Sequence, residues 1–154
     1  MTYVLQQDEH YSYKNVDLAK DGAVIAGLVF SYSSDLNAIT AEIKTHLSKD
    51  RIQWMSYFSD NQVENSWYIN TLGVSKELRR QDIAKKLLKQ ASQRALKNGF
   101  QRLSLHVYEN NHAAIKLYES FGFIKEKRVK LIGHSFFETR KLFANILMRC
   151  DLAG

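Results

Sequence analysis

Two apolar stretches separated by a strongly basic helix constrain this chain more than any other feature. Residues 66–74 and 102–108 have the β-branched and aromatic content of strands. The segment between them places apolar residues on one helical face and charges on the other, and Asn98-Gly99 ends it because both residues tolerate left-handed backbone. The stripe comprises Ile83, Ala84, Leu87, Leu88, Ala91 and Ala95. This unit predicts two parallel strands joined by a right-handed crossover.

The flanking segments predict the rest of a mixed sheet. Residues 11–19 and 23–33 are strand-like and surround Asp21-Gly22, which predicts a hairpin. Residues 36–58 repeat apolar side chains at spacings of three and four, which favours helix. We expect a further helix over 111–120 and strands over 123–132 and 142–150. The order ββ(αα)βαβαββ predicts one α/β or α+β domain over residues 1–154, because no linker or repeat divides the chain.

Charge is distributed unevenly along the 154 residues. The formal net charge is +6, yet residues 1–75 hold five basic and nine acidic side chains. Residues 76–102 hold nine basic and two acidic ones. Such a block predicts either a polyanionic partner (nucleic acid, an anionic membrane or a phosphate-rich cofactor) or merely a solvated helix face. Charge alone leaves these alternatives open.

Several classes of protein and site do not fit the sequence. The longest apolar stretch has eight residues, too few to cross a bilayer, and residues 1–10 lack the features of a signal peptide. Cys150 is the single cysteine, so no internal disulfide forms. We therefore expect a cytoplasmic protein with no membrane partner. No metal site is expected either, because the histidines lack ligand spacing and fit ordinary surface or strand positions: they are His10, His46, His106, His112 and His134.

The junction between residues 66–74 and the basic helix is the strongest candidate for a binding site. A strand that runs into a helix N-terminus places free N–H groups and the positive end of the helix dipole at one point, which suits a phosphate. Arg79 and Arg80 add charge-assisted donors beside it. A simple strand–helix turn is the alternative, and this segment alone favours neither.

The segment after the second strand decides between these two interpretations. It fits the pattern N-x-x-A-x-x-L-Y-x-x-x-G-F with Asn111, Ala114, Leu117, Tyr118, Gly122 and Phe123. Before it, Leu72-Gly73-Val74 fits L-x-V, and residues 79–84 correspond to R-x-x-G-x-G/A at the start of a helix. With these motifs the chain resembles the GCN5-related N-acetyltransferase (GNAT) superfamily. The resemblance extends over roughly residues 11–150, ending on a last strand that includes residues 146–149.

This resemblance implies a mixed sheet that is splayed between its two parallel strands and uses acetyl-CoA as co-substrate. By resemblance, Leu72 and Val74 would bond the pantetheine arm, the Val74 N–H would polarise the thioester carbonyl, and Asn111 would contact the arm. Backbone amides at the helix start would hold the pyrophosphate. Tyr118 would protonate the departing CoA thiolate. The implied cofactor-binding residues are Leu72, Val74, Arg79, Arg80, Gln81, Asp82, Ile83, Ala84, Lys85, Asn111 and Tyr118.

Three features depart from the family pattern. Asp82 replaces a glycine, so a carboxylate lies where a pyrophosphate approaches. Tyr68 replaces the glutamate that serves as base in histone-acetylating members, and a neutral tyrosine is a poor base. Glu64, a water chain or an already deprotonated amine is the alternative. Only about ten residues precede residue 11, where the family has a strand and two helices. Either residues 36–58 replace these, or the acceptor pocket is open, or a second subunit completes it in a homodimer.

The sequence therefore predicts an enzyme that transfers an acetyl group from acetyl-CoA to a primary amine by direct attack. The acidic first half suits a cationic acceptor such as a polyamine, aminoglycoside, lysine or peptide amine. The alternative is a non-catalytic CoA-binding or interaction module, motivated by Asp82 and the missing base. Nucleic-acid binding ranks third, because no stacking-aromatic or recognition-helix motif accompanies the basic block.

Overall fold

Strands and helices alternate around one six-stranded sheet. The computed structural model describes residues 13–153, so the predicted strand start at residue 11 lies outside it. The strands are β1 (Val16–Asp21), β2 (Val24–Ser33), β3 (Trp67–Val74), β4 (Arg102–Tyr108), β5 (Ile124–Lys130) and β6 (Ala144–Asp151). The helices are α1 (Ala41–His46), α2 (Lys49–Ser59), α3 (Ile83–Lys97), α4 (His112–Phe121) and α5 (Ser135–Thr139). Short 3₁₀ helices occupy Tyr13–Asn15, Ser34–Asn37 and Lys76–Leu78.

The strand order is β1-β2-β3-β4-β6-β5. Every neighbouring pair is antiparallel except β3 and β4, which the α3 crossover connects in parallel. The predicted mixed sheet and the parallel pair are therefore confirmed. The hairpin turn also follows the sequence, since Gly22 adopts a φ of 58° that few other residues accept.

Helices cover both faces of the sheet. Leu103, Leu105 and Val107 of β4 point into a core shared with α3 and α4. Because successive strand residues point to opposite faces, Ser104 and His106 face the other side. There α2 and α5 lie, with the rings of Phe58 and His106 5.4 Å apart. The sheet thus has an α3–α4 face and an α2–α5 face.

Two elements differ from the sequence-based expectation. The helix predicted over residues 36–58 is two helices, because Ser48 starts a new one by accepting a hydrogen bond from the Arg51 N–H. The short helix α5 was not predicted, since five residues carry too little periodicity to detect. The separation of α1 from α2 at Ser48 matters for the site, because α2 packs on the α2–α5 face while α1 stays exposed.

The parallel pair separates part-way along its length. β3 and β4 pair only at Trp67 with Leu103, Tyr68 with Ser104 and Ile69 with Leu105. A β-bulge follows at Asn70, because Phe30 pairs with Thr71 while Ser31 pairs with Ile69. We call the gap between residues 70–74 and 106–108 the β3–β4 opening. It is the splay that the family resemblance implies.

Candidate functional site

The edge of β3 that lines the opening presents free backbone groups. The Ser75 N–H donates to the Ala26 carbonyl of β2 at 2.8 Å. Backbone groups alternate along a strand, so those of Gly73 also point toward β2, whereas those of Leu72 and Val74 point into the opening. The Val74 carbonyl accepts a hydrogen bond from Arg79 Nε at 3.3 Å. An extended ligand could therefore pair with Leu72 and Val74 as an added strand.

The start of α3 provides donors at the end of this edge. Asp82 is the N-cap, and its carbonyl accepts the Lys86 N–H at 3.0 Å, but its carboxylate caps no N–H group. The N–H groups of the first helical turn have no partner within a helix, and here they belong to Ile83, Ala84 and Lys85. Exposed Arg79, Arg80 and Gln81 precede them. This arrangement fits a polyphosphate.

Asp82 has a φ of 59° and Arg80 a φ of 64°, both left-handed. This conformation explains why the family pattern has glycine at position 82, because glycine adopts positive φ without steric cost. From the sequence, the expected cost of Asp82 is a carboxylate placed where a pyrophosphate approaches. The structure adds a second cost, backbone strain at the same residue.

The second motif lies on α4. Asn111 is the N-cap, and its side-chain oxygen accepts the Ala114 N–H at 3.2 Å, which leaves its NH₂ group for a ligand. Tyr118 belongs to the same buried cluster against which Leu72 and Val74 pack. Burial raises the pKa of the Tyr118 hydroxyl, so this group stays protonated at neutral pH. Among residues 13–153 it has no hydrogen-bond partner, and it can therefore donate to a ligand.

The structure does not bring Glu64 to the opening. Glu64 is exposed in the turn before β3, whereas Val74 ends that strand. A strand advances about 3.3 Å per residue, so the two ends are more than about 20 Å apart. Tyr68, at the family's glutamate position, is buried with its ring 6.1 Å from that of His106. No carboxylate from the sequence analysis reaches the opening as a base.

His106 is the residue that the sequence analysis missed, having been treated as an ordinary strand position. It is the first residue of β4 beyond the last pair with β3. Its Nε2 lies 2.7 Å from the Asn61 carbonyl, which can only accept, so Nε2 carries the proton and the lone pair is on Nδ1. In the described part of the chain, Nδ1 is buried without a hydrogen bond of normal geometry, although the Phe58 backbone is close enough to the ring to favour its protonated form. Burial lowers the pKa of His106 to about 4, so the ring is neutral.

Comparison with known proteins agrees with this geometry. Residues 3–123 match the model of the Acetyltransferase (GNAT) family. The chain belongs to the GNAT family. A relative is the uncharacterized N-acetyltransferase YycN of Bacillus subtilis (strain 168), 28% identical over an alignment of 134 residues that covers 79% of this chain and 84% of YycN.

Solved GNAT structures share the fold at low sequence identity. A GNAT family acetyltransferase from Elizabethkingia anophelis with acetyl-CoA bound has a TM-score of 0.61 at 17% identity, covering 89% of this chain and 75% of that one. Naa20 of Chaetomium thermophilum in complex with a bisubstrate analogue has a TM-score of 0.65 at 22% identity, covering 93% and 70%. The α+β GNAT fold predicted from the motifs is confirmed.

As a GNAT member with a relative named an N-acetyltransferase, the chain is an acyl-CoA-dependent acetyltransferase. Two further observations on residues 13–153 concern membrane-spanning helices and metal sites. No helix there is both long and apolar enough to span a bilayer. No cluster of three or more histidine, cysteine or acidic side chains suited to a metal ion occurs in the same range.

Proposed function

We propose that this GNAT protein transfers the acetyl group of acetyl-CoA to a primary amine within the β3–β4 opening. The observation that carries the proposal is the separation of β3 and β4 after three residue pairs. It leaves the backbone groups of Leu72 and the N–H of Val74 free at an edge that leads directly to the N-terminus of α3, where Arg79 already bonds the Val74 carbonyl. An extended arm with a phosphorylated end matches that arrangement in shape and in charge.

The residues of the first motif bind and orient the co-substrate. Leu72 and Val74 hold the pantetheine arm by backbone hydrogen bonds, and the Val74 N–H polarises the thioester carbonyl. Asn111 donates to the same arm. The pyrophosphate is held by the segment that leads into α3 and by its first turn: Arg79, Arg80, Gln81, Asp82, Ile83, Ala84 and Lys85. When bound, acetyl-CoA supplies an activated thioester that an amine attacks directly.

Two residues on opposite faces of the sheet handle protons. His106 points to the α2–α5 face at the start of the opening, and its Nδ1 lone pair takes up the amine proton through a water molecule, as a weak base with a pKa of about 4. Tyr118 lies on the α3–α4 face and donates its hydroxyl proton to the departing thiolate. The β3–β4 opening lies between these two side chains. The proton lost by the amine and the proton given to the thiolate are therefore transferred on opposite faces of the sheet. The position of Glu64 supports no such role.

The acceptor side is formed by α2 and α5. The rings of Tyr57 and Phe137 lie 5.2 Å apart, and Phe58 contacts His106. This packing supports the alternative in which residues 36–58 shape the acceptor pocket. The acceptor itself is a peptide amine or a small amine. The Naa20 complex carries a bisubstrate analogue, which supports an amine site beside the CoA site in that fold.

One observation favours a second candidate, a non-catalytic CoA-binding module. Asp82 places a carboxylate at the start of α3, where it repels a pyrophosphate. A weakened CoA site without turnover would leave only binding or interaction as a function.

The experiment is mass spectrometry of acceptors incubated with the protein and isotopically labelled acetyl-CoA. The panel contains a peptide with a free amino terminus, a lysine-containing peptide with a blocked amino terminus, a polyamine and an aminoglycoside. Labelled acetyl on any acceptor, absent without protein, is the expected result. Thermal stabilisation by acetyl-CoA without acetylation of any acceptor would favour the binding module. If acetyl-CoA does not stabilise the protein and no acceptor is acetylated, both candidate functions are contradicted.

A further inference from the structure

A groove of about 370 Å³ lies between α2 and α5 on the α2–α5 face. Its walls include Arg51 and Trp54 from α2, and Phe136 and Arg140 from the region of α5. The volume is within the range typical of small-ligand sites. No residue of the acetyl-CoA site lines it.

Both arginines are held against aromatic rings. The Arg51 guanidinium lies 4.7 Å from the centre of the Trp54 ring, and that of Arg140 lies 3.9 Å from the centre of the Phe136 ring. The Trp54 and Phe136 rings meet edge to face at 6.2 Å. Stacking fixes the planar guanidinium groups at the rim of the groove and lowers the entropy lost when they bind a ligand.

The groove carries two guanidinium groups with donors to spare. Within residues 13–153, neither Arg51 nor Arg140 forms an ion pair, and Arg140 donates one hydrogen bond, to the Phe136 carbonyl at 3.4 Å. A guanidinium group has five N–H donors, so most of them are left for a ligand. Two such groups favour an anion, and a carboxylate above all.

One acidic side chain opposes this preference. Asp50 also lines the groove. His134 Nδ1 accepts the Phe136 N–H, so Nε2 is a donor, and both the Asp50 main-chain carbonyl and its Oδ1 lie 3.1 Å from it. The Asp50 carboxylate keeps its negative charge, so the groove holds two positive side chains against one negative side chain.

The groove lies close to the reacting centre. The ring of Phe58 is 5.4 Å from that of His106 and 5.0 Å from that of Trp54, so the His106 and Trp54 rings are at most about 10 Å apart. Arg140 approaches β4 as well, since it partly offsets the rise that burial causes in the pKa of Tyr108. An extended peptide advances about 3.3–3.6 Å per residue, so about three residues cover this distance.

We propose that the α2–α5 groove selects peptide acceptors with an acidic side chain two or three residues after the amino group that is acetylated. Arg51 and Arg140, each stacked on an aromatic ring of the groove, bind that carboxylate. The inference rests on the proposed function and specifies its acceptor. It replaces the cationic acceptor that the acidic first half of the sequence suggested.

The test uses three peptides that differ only in the third residue, which is Glu, Gln or Lys. Their affinity is measured by fluorescence anisotropy in the presence of CoA, and kcat/KM is measured with acetyl-CoA. The wild-type protein is expected to prefer the Glu peptide over the Gln peptide by about tenfold, and over the Lys peptide by more. The Arg51→Gln, Arg140→Gln double variant is expected to lose this preference, chiefly through KM.

Lys97→Gln is the matched control, because it removes one exposed positive charge from the last turn of α3. It is expected to keep the wild-type preference. Equal binding of the three peptides by the wild type, or a preference retained in the double variant, would overturn the inference. If the Glu peptide binds preferentially but no peptide is acetylated, the groove proposal is supported and the proposed function is contradicted. If all three peptides are acetylated equally well, the proposed function is supported and the groove proposal is contradicted. Thermal melting of each variant verifies that it folds.

Discussion

At the scale of single residues, the sequence identifies Tyr118 as a candidate site residue but does not identify His106. Tyr118 sits in a motif of fixed spacing on one amphipathic helix, so sequence alone is enough to single it out. His106 gains its significance from the place where β3 and β4 separate and from the Asn61 carbonyl that fixes its tautomer. The separation of the strands and the hydrogen bond to Asn61 both depend on contacts between residues far apart in sequence. The pattern of apolar residues within one strand contains no information on such contacts.

Replacing Tyr118 with phenylalanine tests the proton donor. Tyr118→Phe keeps the ring that packs 5.6 Å from Phe123 and removes only the hydroxyl. We expect kcat to fall by about 10²- to 10⁴-fold, with acetyl-CoA affinity nearly unchanged, because the hydroxyl acts in the transition state. Steady-state kinetics and calorimetric titration measure the two quantities. Wild-type turnover would mean that Tyr118 serves packing alone.

Replacing His106 with asparagine tests the proton acceptor. The asparagine amide has no basic nitrogen, and it is too short to replace the Nε2 hydrogen bond to the Asn61 carbonyl. We expect His106→Asn to lower kcat by about 10²-fold or more while the melting shift caused by acetyl-CoA persists. Ser104→Ala, on the same strand and face, controls for lost stability, because it removes a buried hydrogen bond to Ser66 and leaves the basic nitrogen in place. If His106→Asn is as active as the wild type, a water molecule or the substrate itself disposes of the proton.

At the scale of elements, the long helices and the sheet follow from periodicity, but the start of α3 does not. Its apolar stripe predicts the helix and the buried face, as Leu87, Leu88 and Ala91 show. The left-handed conformation at Asp82 depends on how β3 leads into α3, and aspartate is not the residue that signals it. The sequence also did not predict α5, which forms the α2–α5 groove together with α2.

Two substitutions at Asp82 separate charge from shape. Asp82→Asn removes the carboxylate charge and keeps the side-chain size, whereas Asp82→Gly removes both. If repulsion dominates, both variants bind acetyl-CoA several-fold more tightly at low salt, and the gain shrinks as salt rises, because screening acts over about 8 Å at physiological ionic strength. Relief of the positive φ offsets the lost dipole interaction of about 0.3–1 kcal/mol, so we expect Asp82→Gly to change stability little.

Weaker binding by Asp82→Asn would contradict the placement of the pyrophosphate, since the carboxylate would then be making a favourable contact. Tighter binding by Asp82→Gly alone would show that side-chain size, and not charge, is the obstacle. Calorimetric titration at two salt concentrations distinguishes these results.

At the scale of the whole molecule, burial of His106 makes stability depend on pH. Its folded pKa of about 4 lies below the ordinary value of 6.5, so the unfolded chain binds more protons between these values. This contribution to the free energy of unfolding is complete above pH 6.5 and is lost as the pH falls toward 4. Between pH 7 and pH 4, we expect the wild type to lose about 3 kcal/mol more than His106→Asn in urea titrations. Parallel losses would show that His106 is solvated.

The central claim is that acetyl-CoA binds in the β3–β4 opening and at the start of α3. Amide hydrogen exchange, measured residue by residue with and without acetyl-CoA, tests it most directly. We predict strong protection of the Leu72 and Val74 amides and of those over residues 83–85, with the β1–β2 hairpin unchanged. Protection confined to other elements, with residues 72–85 exchanging as before, would contradict the account.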